Sequence, residues 1–158
     1  MSSATADILE ISVQNAARAR EVRAKELHAW LARLLADVAP EARSFTLRCT
    51  SDREMRDLNR RFRGKDKPTD VLSFPGELSS GEDGDTHLGD VVIAMPTARR
   101  QAREADHAVE RELRLLALNG VLHCLGHDHE TDDGTMERLE QRLRRRWLDD
   151  ATESVRGA

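Results

Sequence analysis

The sequence predicts an α+β protein, a small mixed β-sheet packed with about five helices. Three observations support that expectation. Short apolar runs of period two alternate with longer runs of helical period. Glycine, proline and charged clusters separate the runs at short intervals. Only 3% of residues are aromatic against 39% hydrophobic, so aliphatic side chains must build the core. At 158 residues the chain fits one domain, 1–158, with an ordered core from about 8 to 150 and frayed ends.

From Ile8 to Val13 the chain alternates, with Leu9, Ile11 and Val13 on one face and Glu10 and Ser12 on the other, which predicts a strand. Leu27, Trp30, Leu31, Leu34, Leu35 and Val38 fall at helical spacing, and Pro40 stops that helix. Phe45, Leu47 and Cys49 alternate with Thr46 and Arg48 as a second strand. Ser51 or Asp52 can cap a short helix reaching about Phe62, with Met55, Leu58 and Phe62 facing inward. Gly64 to Pro68 must be loop. Val71 to Phe74 reads as a short strand ended by Pro75, and Gly76 to Thr86 as a flexible connection rich in glycine, serine and acid. Leu88 to Ala94 is the most apolar strand, with Asp90 lodged inside it.

After Pro96 a polar, superficial helix is expected to about Asp106. The next, from about Ala108 to Leu125, carries leucine and valine on nearly every side and should run through the core until Gly126 ends it. A last amphipathic helix holds Met136, Leu139, Leu143 and Trp147, with Arg142, Arg144, Arg145 and Arg146 outside.

No stretch approaches the roughly 20 apolar residues that span a bilayer, and Met1-Ser2-Ser3-Ala4-Thr5 lacks the start of a signal peptide, so a cytoplasmic protein without membrane attachment is expected. Cys49 and Cys124 form no disulfide framework and sit in apolar runs as small core residues. A net charge of −4 argues against binding nucleic acid by bulk attraction. Locally, however, Arg53, Arg56, Arg60, Arg61, Arg63, Lys65 and Lys67 face only Glu54, Asp57 and Asp66, a positive patch on an acidic protein.

The chemistry is concentrated where the buried helix ends. Asn119 and His123 are four residues apart and share one helix face. Polar groups inside a leucine-covered helix cost free energy unless they find partners. Gly126 allows the chain to turn back, so His129 can approach the same point. Such a set can place three ligands around one ion and leave a fourth position for water, as zinc catalytic sites do. The spacing equals that of the metzincin proteases, His-Glu-x-x-His-x-x-Gly-x-x-His, but Gly120 stands where their general-base glutamate belongs. Peptide hydrolysis is therefore not expected.

The same segment more closely resembles the signature of the YbeY family of bacterial endoribonucleases, His-Gly-x-Leu-His-Leu-x-Gly-Tyr-Asp-His. Gly120, Leu122, His123, Gly126, Asp128 and His129 match it. Leu58 through Pro75 resembles the family's second block and Leu88 through Ile93 its third, so the likeness runs from about Ile8 to Trp147. The resemblance implies a single-strand-specific endoribonuclease with one zinc ion held by three histidines. It would act on ribosomal RNA of the small ribosomal subunit, at the 3′ end, and in ribosome quality control. His123 and His129 then take the second and third ligand positions, Arg63 takes that of an arginine important to catalysis, and Arg60, Arg61, Lys65 and Lys67 would contact RNA.

Two departures qualify the match: Asn119 replaces the first ligand histidine, and His127 stands where tyrosine is usual. An amide oxygen is a harder, weaker zinc ligand than imidazole. Asn119 either ligates weakly or positions a water, or His127 substitutes for it, or the site is empty and activity is lost or altered. The chain is then either an active nuclease, a ribosome-assembly binding factor, or a metal-dependent hydrolase of another substrate. Plainer roles stand beside the chemical ones. Asn119 fits a buried amide bonded to its neighbours as well as it fits a ligand. Asp90 and Asp128 suit strand-end or capping roles as well as the orientation of ligands. His28, His87 and His107 read as surface residues, and Asp70 as part of a loop shaping the cleft.

Overall fold

The computed structural model describes residues 9–76, 86–126 and 134–149. In order these form β1 (Glu10–Asn15), α1 (Ala24–Val38), β2 (Ser44–Thr50), α2 (Asp52–Arg63), β3 (Val71–Pro75), β4 (His87–Ala94), α3 (Met95–Ala105), α4 (Val109–Cys124) and α5 (Thr135–Arg144), which runs on into a π-helical turn, Arg145–Asp149. The sheet is mixed, as predicted, with strand order β1-β2-β4-β3. β1, β2 and β4 run parallel, and β3 returns antiparallel to β4 on the outer edge.

The two sheet faces differ because each strand alternates. Ile11↔Phe45, Val13↔Leu47, Leu47↔Val91 and Cys49↔Ile93 align apolar side chains on one face. That face joins α1, α4 and α5 in the main core, with Leu31, Leu34, Leu47 and Leu118 fully buried. Burial of one such side chain is worth about 1.5–3 kcal/mol, so this layer supplies most of the driving force. Trp30 pins the π-helical turn to it, its indole Nε1 donating to the carbonyl of Trp147 at 2.9 Å. The opposite face is polar over β1 and β2. Only near β3 and β4 does it turn apolar, where Leu72, Val92 and Ala94 meet Met55 of α2, with Leu58 and Phe74 alongside.

Local signals set the helix ends. Ser51 caps α2 by accepting a 3.2 Å bond from the Glu54 N–H, and Gly64 closes it at φ 71°, a conformation glycine adopts without strain. The helix α3 begins at Met95, before Pro96, because a proline in the first turn gives up only an N–H with no partner there.

Three sequence expectations need correction. Phe62 does not face inward: it is 58% exposed and meets the sheet only through the edge of its ring against Phe74. Nor is α3 superficial, since Met95, Thr97, Ala98 and Ala102 are buried, and small alanines let that side lie close without reading as an apolar stripe. His87 and His107 are engaged rather than idle: His87 bonds Ser44 Oγ at 2.7 Å and Asp90 at 3.0 Å, and His107 pairs with Glu112 at 2.6 Å. His28 is exposed, as expected. Among the described residues no helix is long and apolar enough to cross a membrane.

Candidate active site around the edge strand

Two glycines press α4 onto the sheet and so fix the height of its functional stripe. A Cβ at Gly120 would stand 2.5 Å from Val91 Cγ1 and 2.8 Å from its Cγ2. A Cβ at Gly89 would meet Cys124 Sγ at 2.6 Å and the Phe74 carbonyl at 2.7 Å. Ser73 of β3 then reaches across and donates to the Gly120 carbonyl at 3.3 Å. No glutamate fits at position 120, which gives the missing protease base a steric reason.

Between the buried Leu118, Gly120, Val121 and Leu122, the side chains of Asn119 and His123 are only half-buried. They lie one helical turn apart on one stripe, as the sequence predicts. The Asn119 amide makes no hydrogen bond among the described residues. Gly126, at φ 97° and exposed, turns the chain off the helix. His127, Asp128 and His129 lie outside the described residues. Among those described, no cluster of three or more histidine, cysteine or carboxylate side chains could hold a metal. The donors in view are one imidazole and one amide. They suit a divalent ion only if further ligands complete the set.

Arg63 ends α2 on the other face of the sheet. Arg53, Arg56, Arg60 and Arg63 recur every three or four residues, forming one stripe along the helix. Part of this charge is already neutralised. Arg56 pairs with Asp66 at 2.8 Å, and Asp57 takes both Arg60 at 2.5 Å and Arg61 at 3.4 Å. The Arg60 bond holds the Asp57 carboxyl below its usual range, and Arg56 does the same for Asp66. Arg63, Lys65 and Lys67 are exposed and form no ion pair among the described residues. Of the four predicted RNA contacts, Lys65 and Lys67 therefore offer charge unpaired among the described residues, as does Arg63, the predicted catalytic arginine.

Sequence reasoning missed Asn59, which holds these cations in place. It is 3% exposed, donates to the Lys67 carbonyl at 2.8 Å, and its own carbonyl accepts from the Lys65 N–H at 3.3 Å. The available signal was a polar side chain beside Leu58 on the inward side of α2. Asp70 ties the same loop to α3 by accepting from Gln101 at 3.3 Å. Asp90 pairs with His87 at 3.0 Å. Cys49 and Cys124 are buried, as expected, and burial pushes both thiols up to about 12.

The structure therefore brings Asn119 to His123, and gathers Arg60, Arg61, Arg63, Lys65 and Lys67, but on opposite faces of the sheet. The strand β3 lies between, with Val71 and Ser73 toward α4 and Leu72 and Phe74 toward α2. Any substrate touching both groups must pass around this edge.

These features first define a class: a small mixed-sheet α+β protein with a metal-type donor pair on its central helix and an anion-attracting surface across the edge strand. The chain belongs to the endoribonuclease YbeY family, whose model matches residues 12–148. It is thus a nuclease of the hydrolase class. An endoribonuclease YbeY from Solibacter usitatus is 54% identical over 112 residues, 71% of each chain. One from Koribacter versatilis is also 54% identical, over 60% of this chain and 59% of that protein. In fold it resembles a solved Thermotoga maritima protein, with a TM-score of 0.57 and 26% identity over 89% of this chain and 93% of that one.

Proposed function

We propose that the protein is a metal-dependent, single-strand-specific endoribonuclease acting in ribosomal RNA maturation, at the 3′ end of the small-subunit RNA, and in ribosome quality control in the cytoplasm. The observation that carries the metal reading is the half-buried Asn119/His123 pair on α4, one helical turn apart, with the Asn119 amide making no hydrogen bond among the described residues. His123 and Asn119 would hold the zinc ion, completed by His129 or by His127, with Asp128 as a candidate orienting group. When bound, the ion would supply an activated water. Arg63 would grip the scissile phosphate and stabilise the charge that develops there, and Lys65 and Lys67 would hold flanking phosphates. Ribosomal RNA in the small subunit is the expected partner.

Asn119 also favours a second reading, in which a weakened site leaves a ribosome-assembly binding factor that does not cut. Metal content by mass spectrometry separates the two, measured on the native chain and on Asn119→His. Stoichiometric zinc in the native chain, with cleavage of single-stranded RNA that Arg63→Ala abolishes, supports the enzyme. Zinc absent from the native chain but restored by Asn119→His, with binding about 10-fold tighter or more, moves the binding factor to first place. Equal RNA cleavage by native protein and Arg63→Ala would remove Arg63 from the chemistry.

A further inference from the structure

Phe62 is the one large hydrophobic side chain exposed among the described residues. It is held as well as exposed. Its ring meets Phe74 edge to face, with centroids 5.2 Å apart and planes at 73°. The guanidinium of Arg61 lies over it, 5.6 Å from the centroid. Phe74 is anchored in turn, because it pairs with Asp90 of β4 within the sheet. The ring therefore sits at a defined place on the surface, with little freedom left to lose on binding a ligand.

Its surroundings indicate the ligand. Arg63 follows it directly, and Lys65 and Lys67 come next on a loop pinned by Asn59, all three without ion pairs among the described residues. A flat apolar ring bordered by free cations is complementary to a polyanion that also carries flat apolar groups. Single-stranded nucleic acid has that chemistry, with bases that stack on aromatic and guanidinium planes while lysines and arginines follow the phosphates. In a duplex the bases are already stacked on each other, so the ring gains nothing there. A purely protein partner would use the apolar ring but would not require the free cations beside it.

We infer that Phe62, braced by Phe74 and Arg61, is a stacking platform for one unpaired base of the RNA strand whose phosphates Arg63, Lys65 and Lys67 hold. The inference rests on the proposed single-strand endoribonuclease reading. It adds a base contact to that reading and offers a physical reason for single-strand preference.

The test is fluorescence anisotropy of the full-length protein with labelled oligouridylate, and with an abasic oligoribonucleotide of equal length. The second probe keeps the phosphates and removes the bases. Phe62→Leu is expected to weaken oligouridylate binding about 5-fold or more, with the abasic probe bound as before. The dependence of affinity on salt should not change, because the phosphate contacts remain. Phe62→Trp should restore or tighten binding. Equal weakening of both probes by Phe62→Leu, or of neither, overturns the platform while leaving RNA binding intact. A native protein that binds neither probe overturns the RNA reading, and the platform with it. Urea midpoints of the variants matching the native one exclude misfolding as the cause.

Discussion

The helices α2 and α4 lean on the same end of the sheet from opposite faces, and they follow opposite rules. On α4 nine residues are buried, so its chemistry is limited to the narrow stripe where Asn119 and His123 emerge. On α2 only Met55 and Asn59 are buried, and nearly every other side chain is available for solvent or substrate. The first helix gains positional accuracy from its packing and tolerates little change. The second gains surface charge and should tolerate much. Position is what a metal-type donor pair needs, since small displacements change coordination. Charge is what attracts a polyanion, which acts at longer range and forgives displacement.

The largest effect should come from disturbing the tightly packed side. Gly120→Glu would drive a Cβ into Val91 and strand a carboxylate against the sheet, and is expected to cost about 4 kcal/mol or more, enough to prevent folding. Gly120→Ala is the sharper probe because two effects compete. Overpacking costs about 1–3 kcal/mol, and replacing a mid-helix glycine returns about 1 kcal/mol. The expected outcome is a modest net loss in the urea midpoint. A raised midpoint would mean that α4 is not pressed onto Val91. The matching change on α2, Arg60→Ala, should leave the midpoint in place.

RNA binding should reverse this order of sensitivity. Lys65→Gln and Lys67→Gln remove cations that form no ion pair among the described residues. Each should lower the slope of log affinity against log salt by about 0.7 for a single strand. Arg60→Gln should lower it less, because Asp57 already holds that guanidinium. Equal slopes for all three variants would show that the ion pairs of α2 open on binding and that free charge is not the distinction.

The same contrast explains what could be read from the sequence. The order of strands and helices was legible, because periods of two and 3.6 are local properties and the aliphatic runs are clean. The Ser51 cap, the Gly64 and Gly126 turns, and the pairing of Asn119 with His123 on one stripe were legible for the same reason. What was hidden depends on partners distant in sequence. Periodicity places Phe62 inward with Met55, yet Met55 is fully buried and Phe62 is 58% exposed. Gly120 reads as a departure from a protease motif, and its contact with Val91, 29 positions away in sequence, gives the physical reason. His107 reads as a surface residue until Glu112 of α4 closes on it. Edge position is likewise global: nothing within Val71–Pro75 says that β3 lies outermost, between the two halves of the site.

The smallest effect tests how α2 is fastened to the polar sheet face. Arg48 of β2 donates two bonds to Glu54, each at 2.9 Å, and Thr50 donates to the same carboxylate. The Arg48 bonds, more than the Thr50 bond, hold the Glu54 carboxyl below its ordinary range, against an opposing push from burial. A carboxyl lowered in the folded state adds stability that is complete above its unfolded pKa and is lost as pH falls through the folded one. Both partners are 35% exposed, so solvent screening trims the contribution to about 1 kcal/mol or less. Glu54→Gln keeps the shape and removes the charge. Its melting temperature should lie below the native one at neutral pH, and the gap should close as pH falls below about 4.3. A gap that stayed constant through that range would mean that the clamp acts through shape and hydrogen bonding alone. In that case α2, for all its charge, would be held to the sheet as α4 is, by fit.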